Sequence, residues 1–256
     1  MKKYCLAAAL SMACLAPAAQ ADTLLGLYAG VDGWKSDSDG QFSYKGNQPQ
    51  DFKFKDETFV SYYIALEHPV PAVPNFKFKY TELELNGSAV LTDTFSFNGS
   101  DYVVGTAVNS VNDLTHIDYI FYYEIFDNDL ISIDLGLNVK QFDGDMIVTG
   151  TTQTGGANFT ENVDFSGFVP LAYGRAEAGL PFTGLSMFVE GSFLAIDDSK
   201  VQDYQVGVAW ELLDNLAVDV AVKAGYRSMT LELDDVDDIN TNIDASGPFL
   251  GVQVHF

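Results

Sequence analysis

Cysteine is confined to Cys5 and Cys14 in this 256-residue chain, so nothing after them can form a disulfide, a thiolate metal site or a cysteine nucleophile. Basic residues are scarce as well. Thirteen Lys and Arg stand against 36 Asp and Glu, a formal charge of −23, which argues against nucleic acid as a partner. Beyond residue 21 no apolar run approaches the length of a membrane helix, and no segment holds a 3.6-residue apolar period for long. Glycine-rich phosphate loops ahead of a helix and Cys/His zinc spacings are also absent. The chain is nevertheless 47% hydrophobic, with 13 Tyr and 19 Phe, too apolar for a disordered acidic chain.

The N-terminus has the three parts of a secretory signal peptide. Met-Lys-Lys is followed by an apolar stretch from Tyr4 to Leu15, then Pro17 and the small-residue site Ala19-Gln20-Ala21. Residues 1–21 are expected to be cleaved, and 22–256 to form the exported protein, free of cysteine and more acidic by the loss of Lys2 and Lys3. A lipoprotein reading at Cys14 is disfavoured because Ser11 stands where Leu is usual.

What recurs after residue 21 is strict alternation. Ile131, Ile133, Leu135, Leu137 and Val139 share one parity and Ser132, Asp134, Gly136, Asn138 and Lys140 the other, a strand with one oily and one polar face. The pattern returns at Ile117 to Ile125 and at Leu216 to Tyr226. Ten such segments are expected, near 23–34, 57–68, 75–87, 114–126, 131–142, 167–179, 185–196, 203–213, 216–229 and 246–256. Short connections alternate with long ones, the long ones being 35–56, 88–113, 143–166 and 230–245, with 197–202 the short member of that set. The fold class expected is therefore all-β: a single transmembrane antiparallel β-barrel of about ten strands with both termini periplasmic. An exported β-sandwich is the alternative, disfavoured by strand length. Strand 75–87 needs a bulge or an aromatic band, because Phe76, Phe78 and Tyr80 share parity with Glu82 and Glu84. Tyr62, Tyr119, Tyr123, Phe142, Trp210, Tyr226 and Phe256 are candidates for the lipid-boundary aromatics.

The last strand carries Leu250, Val252, Val254 and Phe256 on one face and ends the chain on the aromatic. It resembles the terminal strand of Gram-negative outer-membrane proteins, which implies recognition by the barrel-assembly machinery and periplasmic chaperones. Residence among outer-membrane lipid and lipopolysaccharide follows from the same resemblance. Within that class, the acidic cysteine-free pattern is similar to an uncharacterised proteobacterial family of outer-membrane barrels that co-occurs with rhombosortase systems. The likeness implies a location and an assembly route, because barrels host many activities.

The polar parity is rich in charge, and Asp118, Glu124, Asp134, Lys140, Arg175, Glu177, Glu211, Asp219, Lys223 and Arg227 are expected to form a lumen charge network. Glu57, Glu67 and Glu190 share that parity. A ten-stranded barrel is narrow enough for paired charges to close it, giving a structural or surface-interaction role. A narrow channel for small or amphipathic solutes is the runner-up. His116 and Asp118 share a face and resemble the His and Asp pairs of omptin-type outer-membrane proteases. The second acidic pair that such a site needs has no counterpart that aligns, so no catalytic residue, metal or cofactor is expected, and a hydrolase using His116 and Asp118 comes third. Asp234, Asp235, Asp237, Asp238 and Asp244 read as a solvated acidic loop, since their spacing lacks the ligand order of a calcium loop.

Overall fold

The computed structural model describes residues 25–44, 49–70, 72–128, 130–153, 158–196, 199–215, 217–236 and 239–256. The expected cleaved segment, 1–21, lies outside them. The described chain is all-β: β1 (Gly26–Tyr44), β2 (Gln50–Phe54), β3 (Glu57–Glu67), β4 (Asn75–Thr81), β5 (Glu84–Val90), β6 (Phe95–Phe97), β7 (Ser100–Tyr102), β8 (Ala107–Asp113), β9 (His116–Asp127), β10 (Ile131–Thr151), β11 (Asn158–Leu180), β12 (Leu185–Ile196), β13 (Ser199–Leu213), β14 (Asp219–Val236) and β15 (Ile239–His255). Ten of these close a ring in the order β1, β3, β4, β9, β10, β11, β12, β13, β14, β15 and back to β1, every neighbour antiparallel. In the half that carries Leu25 and Phe256, closure satisfies the backbone without an edge, the condition for a sheet surrounded by hydrocarbon. At the seam, Phe256 N–H donates to Leu27 O at 2.9 Å and Leu27 N–H returns a bond to Phe256 O at 3.3 Å.

The stretches expected as long loops are mostly wall. β1 runs to Tyr44, β10 to Thr151, β11 starts at Asn158, and β14 and β15 reach Val236 and Ile239. β2, β5 and β8 continue the lines of β3, β4 and β9 upward, pairing β1 to β2, β2 to β5, β5 to β8 and β8 to β10. The breaks between the stacked strands are bridged by Glu82 N–H to Val60 O, Lys55 N–H to Asn86 O and Leu114 N–H to Leu83 O. The barrel is thus about twice as tall as nine-residue crossings require.

Along each tall strand the polarity inverts. In the half that carries Leu25 and Phe256, β1 points Leu27, Ala29 and Val31 outward and Tyr28, Gly30 and Asp32 inward. Higher up, with unchanged parity, Lys35, Asp37 and Asp39 face out while Trp34, Ser36, Ser38 and Phe42 face in. β10 repeats this: Ile131 to Val139 outward below, Gln141, Asp143 and Asp145 outward above, with Asn138 and Lys140 giving way to Phe142, Met146 and Val148 inside. The lower belt is about nine residues tall, the length of a tilted strand crossing hydrocarbon. The upper half has the polarity of a soluble barrel, apolar within and charged without.

This inversion corrects two expectations. Strand 75–87 needs no bulge: parity is unbroken, and Phe76, Phe78 and Tyr80 face the apolar belt while Glu82 and Glu84, on the same side, have risen past it. Phe142 is not a boundary aromatic. It points inward, 6% exposed, with its ring centroid 5.5 Å from that of His116, because it sits just above the level where the interior turns apolar. Tyr62, Tyr123, Trp210 and Tyr226 do lie exposed on the outer face.

Candidate functional site

Two layers fill the barrel. The upper one is a contiguous apolar core that includes Trp34, Phe42, Phe52, Phe59, Leu85 and Phe249, all less than a tenth exposed. The short hairpin β6–β7 folds into it rather than out into solvent. Its turn, Asn98-Gly99, holds both residues at positive φ (48° and 87°), the conformation that lets a two-residue hairpin reverse and that glycine adopts freely. Phe95, Phe97 and Tyr102 are thereby delivered to the core, each at most 1% exposed, and Phe95 packs edge-on to Phe42 with centroids 5.8 Å apart. Burial, with Glu161 adding to it, pushes the Tyr102 phenol up to about 12, so it stays a neutral donor to Val148 O at 3.1 Å.

Beneath the core lies the charged layer. Lys140 Nζ sits 2.9 Å from Asp118 Oδ1 and 3.2 Å from Asp203 Oδ2, and Arg227 reaches Asp203 through Nε at 2.9 Å and Nη2 at 2.7 Å. Arg227 Nη1 donates to Ser61 Oγ at 3.0 Å, and its guanidinium lies 4.7 Å from the Trp34 ring, joining the two layers. Asn138 donates to Asp118 at 2.7 Å and to Ser192 at 3.0 Å. Lower still, Lys223 pairs with Asp32 at 3.0 Å, donates to Tyr63 Oη at 2.9 Å and lies over the Tyr63 ring. Lys77 pairs with Glu190, which also accepts from Tyr173 and Gln205. The buried cations Lys77, Lys140, Lys223 and Arg227 therefore each have a carboxylate within hydrogen-bond reach, which offsets the cost of taking them out of water.

Of the charged residues expected in the lumen, Asp118, Asp134, Lys140, Lys223 and Arg227 are buried inside the barrel. Arg175 and Glu177 pair with each other nearer the terminal end, with Ser186 donating to Glu177 at 2.6 Å. Glu124 and Glu211 reach the open rim and are exposed, and Asp219 pairs with His255 at 3.1 Å. Leu250 and Val252 are exposed on the outer face of β15. Val254 and Phe256 are half-buried beside them. Four residues of the layer escaped sequence reading: Asp32, Lys77, Lys79 and Asp203. Lys77 and Lys79 alternate with Phe76, Phe78 and Tyr80, and Asp203 with Tyr204 and Val206, so their parity was the signal available.

His116 is 1% exposed. Its Nδ1 meets Leu114 O at 2.9 Å, and Nε2 faces Asp118 Oδ2 at 3.7 Å and Asp203 Oδ2 at 3.9 Å with no hydrogen-bond partner. These three could converge on a cation. Lys140 already supplies one: its ammonium bridges the same two carboxylates, and adding a divalent ion beside Lys140 and Arg227 would leave a large uncompensated positive charge. Neither His116 nor Asp118 meets solvent, since the apolar core closes the space above them. A shallow recess opens lower down between Tyr63, Lys77, Arg175, Glu211 and Gln253. The expected acidic loop is instead a hairpin: Asp234 and Asp235 lie on β14, Asp244 on β15 accepts from Thr230 at 2.6 Å, and Asp237 and Asp238 fall outside the described residues.

No family model matches the chain, and no curated protein matches it. Among solved structures the chain is similar to the outer membrane protease OmpT of Escherichia coli, at 9% identity over 93% of this chain and 99% of that one, with a TM-score of 0.49. It is also similar to the transport unit of the autotransporter AIDA-I of Escherichia coli (8% identity, 98% and 96% covered, TM-score 0.42) and to Ail, the attachment invasion locus protein of Yersinia pestis (10%, 90% and 99%, 0.31).

Proposed function

We propose that this chain is an integral outer-membrane protein with a sealed lumen, whose role is structural or one of surface contact through its tall water-facing half. The observation that carries this reading is the double closure. Any solute entering from the terminal end meets the paired charges of Lys140, Asp118, Asp203 and Arg227, and above them a contiguous aromatic and aliphatic core. A narrow channel for small or amphipathic solutes would require both layers to part. Hydrolysis at His116 and Asp118 would require water and substrate to reach groups at most 2% exposed.

The apolar belt supports residence in a bilayer, and the expected signal peptide and terminal Phe256 support export and assembly by the barrel-assembly machinery with periplasmic chaperones. Outer-membrane lipid and lipopolysaccharide would then surround the belt, with both termini periplasmic. Kinship with the rhombosortase-associated barrels belongs to the same reading. The test has two parts. Cell fractionation should place the protein, starting at Asp22, in the outer membrane, with gel mobility that changes on boiling. The purified protein in planar bilayers should pass no steady current. A soluble periplasmic pool would overturn the location, and stable ohmic conductance would replace the sealed barrel with the channel.

A further inference from the structure

One side of the upper barrel wall is open. β12 leaves β11 after the pair Ala172/Phe193 and turns back through β13, whereas β11 continues upward to Asn158 along β10 alone. Residues 158–170 of β11 therefore have no strand on their second side among the described residues. Which groups point there follows from antiparallel alternation. Gly179 N–H donates to Leu130 O, and the register from there to Thr151/Asn158 is unshifted, so odd-numbered residues bond to β10. The even ones, Thr160, Asn162, Asp164, Ser166 and Phe168, present N–H and C=O to the gap. Pro170 falls on this same set, at the first position past β12, where a missing N–H costs nothing.

The gap has a recognisable chemistry. On its inner side, Val163, Phe165, Leu194 and Leu233 are only partly covered and pack against the core. On its outer side the charge next to the edge is negative: Asp164 on β11 stands opposite Asp145 on β10, with Asp143 opposite Ser166, while Glu232 on β14 is paired with Lys200 at 3.6 Å. The β6–β7 hairpin touches this edge: Asn98 Nδ2 donates to Asn162 O at 3.0 Å and to Glu161 at 3.2 Å, and Ser100 Oγ donates to Glu161 at 2.7 Å. We infer that the upper edge of β11 is a strand-addition site for an extended peptide segment that alternates apolar residues with Lys or Arg. Its backbone would bond to the even-numbered groups other than Asn162 O, its apolar side chains would cover Val163, Phe165, Leu194 and Leu233, and its cations would face Asp164 and the neighbouring Asp145. A second copy of this acidic chain is the poorer occupant, since antiparallel pairing of two such edges sets carboxylates against carboxylates.

The probe is a fluorescent Val-Lys repeat of about ten residues, the length of the free edge, titrated against the purified barrel in micelles. It should bind, and a Val-Glu repeat and a blockwise peptide of the same Val and Lys content should each bind at least about tenfold more weakly. Ser166→Pro removes an edge N–H that β10 does not use, and Asp164→Lys reverses the local charge. Each should weaken binding at least about tenfold while the gel shift on boiling shows an intact barrel. Amide exchange at the even-numbered residues 160, 162, 164, 166 and 168 should be fast in the free protein and slow with the peptide. Equal binding by the Ser166→Pro and Asp164→Lys proteins would overturn the site. So would slow exchange at these amides in the free protein, or a dimer in sedimentation that Ser166→Pro dissolves, because the edge would then already be occupied.

Discussion

Lys140 Nζ lies 3.2 Å from Asp203 Oδ2, although 63 residues separate them in the chain and their strands are not neighbours in the ring. The contact spans the lumen from β10 to β13, while the same ammonium holds Asp118 of the adjacent β9 at 2.9 Å. One cation thus ties together three strands from two sides of the barrel. Arg227 of β14 completes the bridge from the other flank of Asp203.

Removing that cation should be costly. Lys140→Met leaves two buried carboxylates facing each other, and breaking a buried pair of this kind costs about 3 to 5 kcal/mol. Urea unfolding in micelles, followed by the gel shift on boiling, should show a loss of this size. Adding Asp118→Asn to Lys140→Met should restore part of it by lowering the stranded charge. A double variant no better than the single one would mean that the network is screened by water.

The aromatic layer is separable from the charged one. Phe95 is fully buried, and Phe95→Ala should cost about 3 to 5 kcal/mol as transfer and cavity terms add. Bilayer current should nevertheless stay absent, because the ion pairs below are untouched. A conductance step in this variant would assign the seal to the hairpin alone.

A row of acids on the outer face of the upper wall should make stability pH-dependent. The register sets Glu84 beside Asp113 and Asp145 beside Asp164, with Asp113 and Asp145 on neighbouring positions of β8 and β10. Partial burial, then repulsion from Asp113, Asp164 and Glu84, raises the Asp145 carboxyl above its ordinary value. A raised acid binds its proton more tightly when folded, so it opposes folding above that value. The penalty is relieved as pH falls through it. Asp145→Asn should therefore raise the unfolding midpoint at neutral pH and flatten its rise on mild acidification. An unchanged pH slope in this variant would remove Asp145 as the source.

Close approach at the seam depends on one hydrogen atom. Gly251 on β15 leaves the space that Asp32 Oδ1 occupies beside Lys223, and a Cβ there would collide with that oxygen and with Val31 O. Gly251→Ala should displace Asp32, strand Lys223 and lower the thermal midpoint more than Gly167→Ala, whose added Cβ meets nothing within 4 Å. Equal midpoints for the two variants would show that the seam yields easily.

Strand number and order in the chain were legible because lipid on one side and a polar lumen on the other force alternation, as in Ile131 to Lys140. The extent of each strand was not. Above the belt, the same parity exchanges its chemistry, so Lys35, Asp37 and Asp39 facing out read as a polar loop, although they continue β1 with Trp34 and Phe42 packed inside. The alternation had not stopped there. Its sign had changed with the solvent outside.

Parity along one strand fixed, from sequence alone, which of Asp118, Lys140, Lys223 and Arg227 share a face, since side chains in a strand can only alternate. Pairing across the lumen was decided by ring closure and register. These alone bring Lys140 to Asp203, seal His116 beneath Phe142, fold Phe95 and Phe97 inward, and leave the upper edge of β11 without a neighbouring strand among the described residues. Such contacts join residues tens to hundreds of positions apart, and no local preference of the chain encodes a distance of that kind.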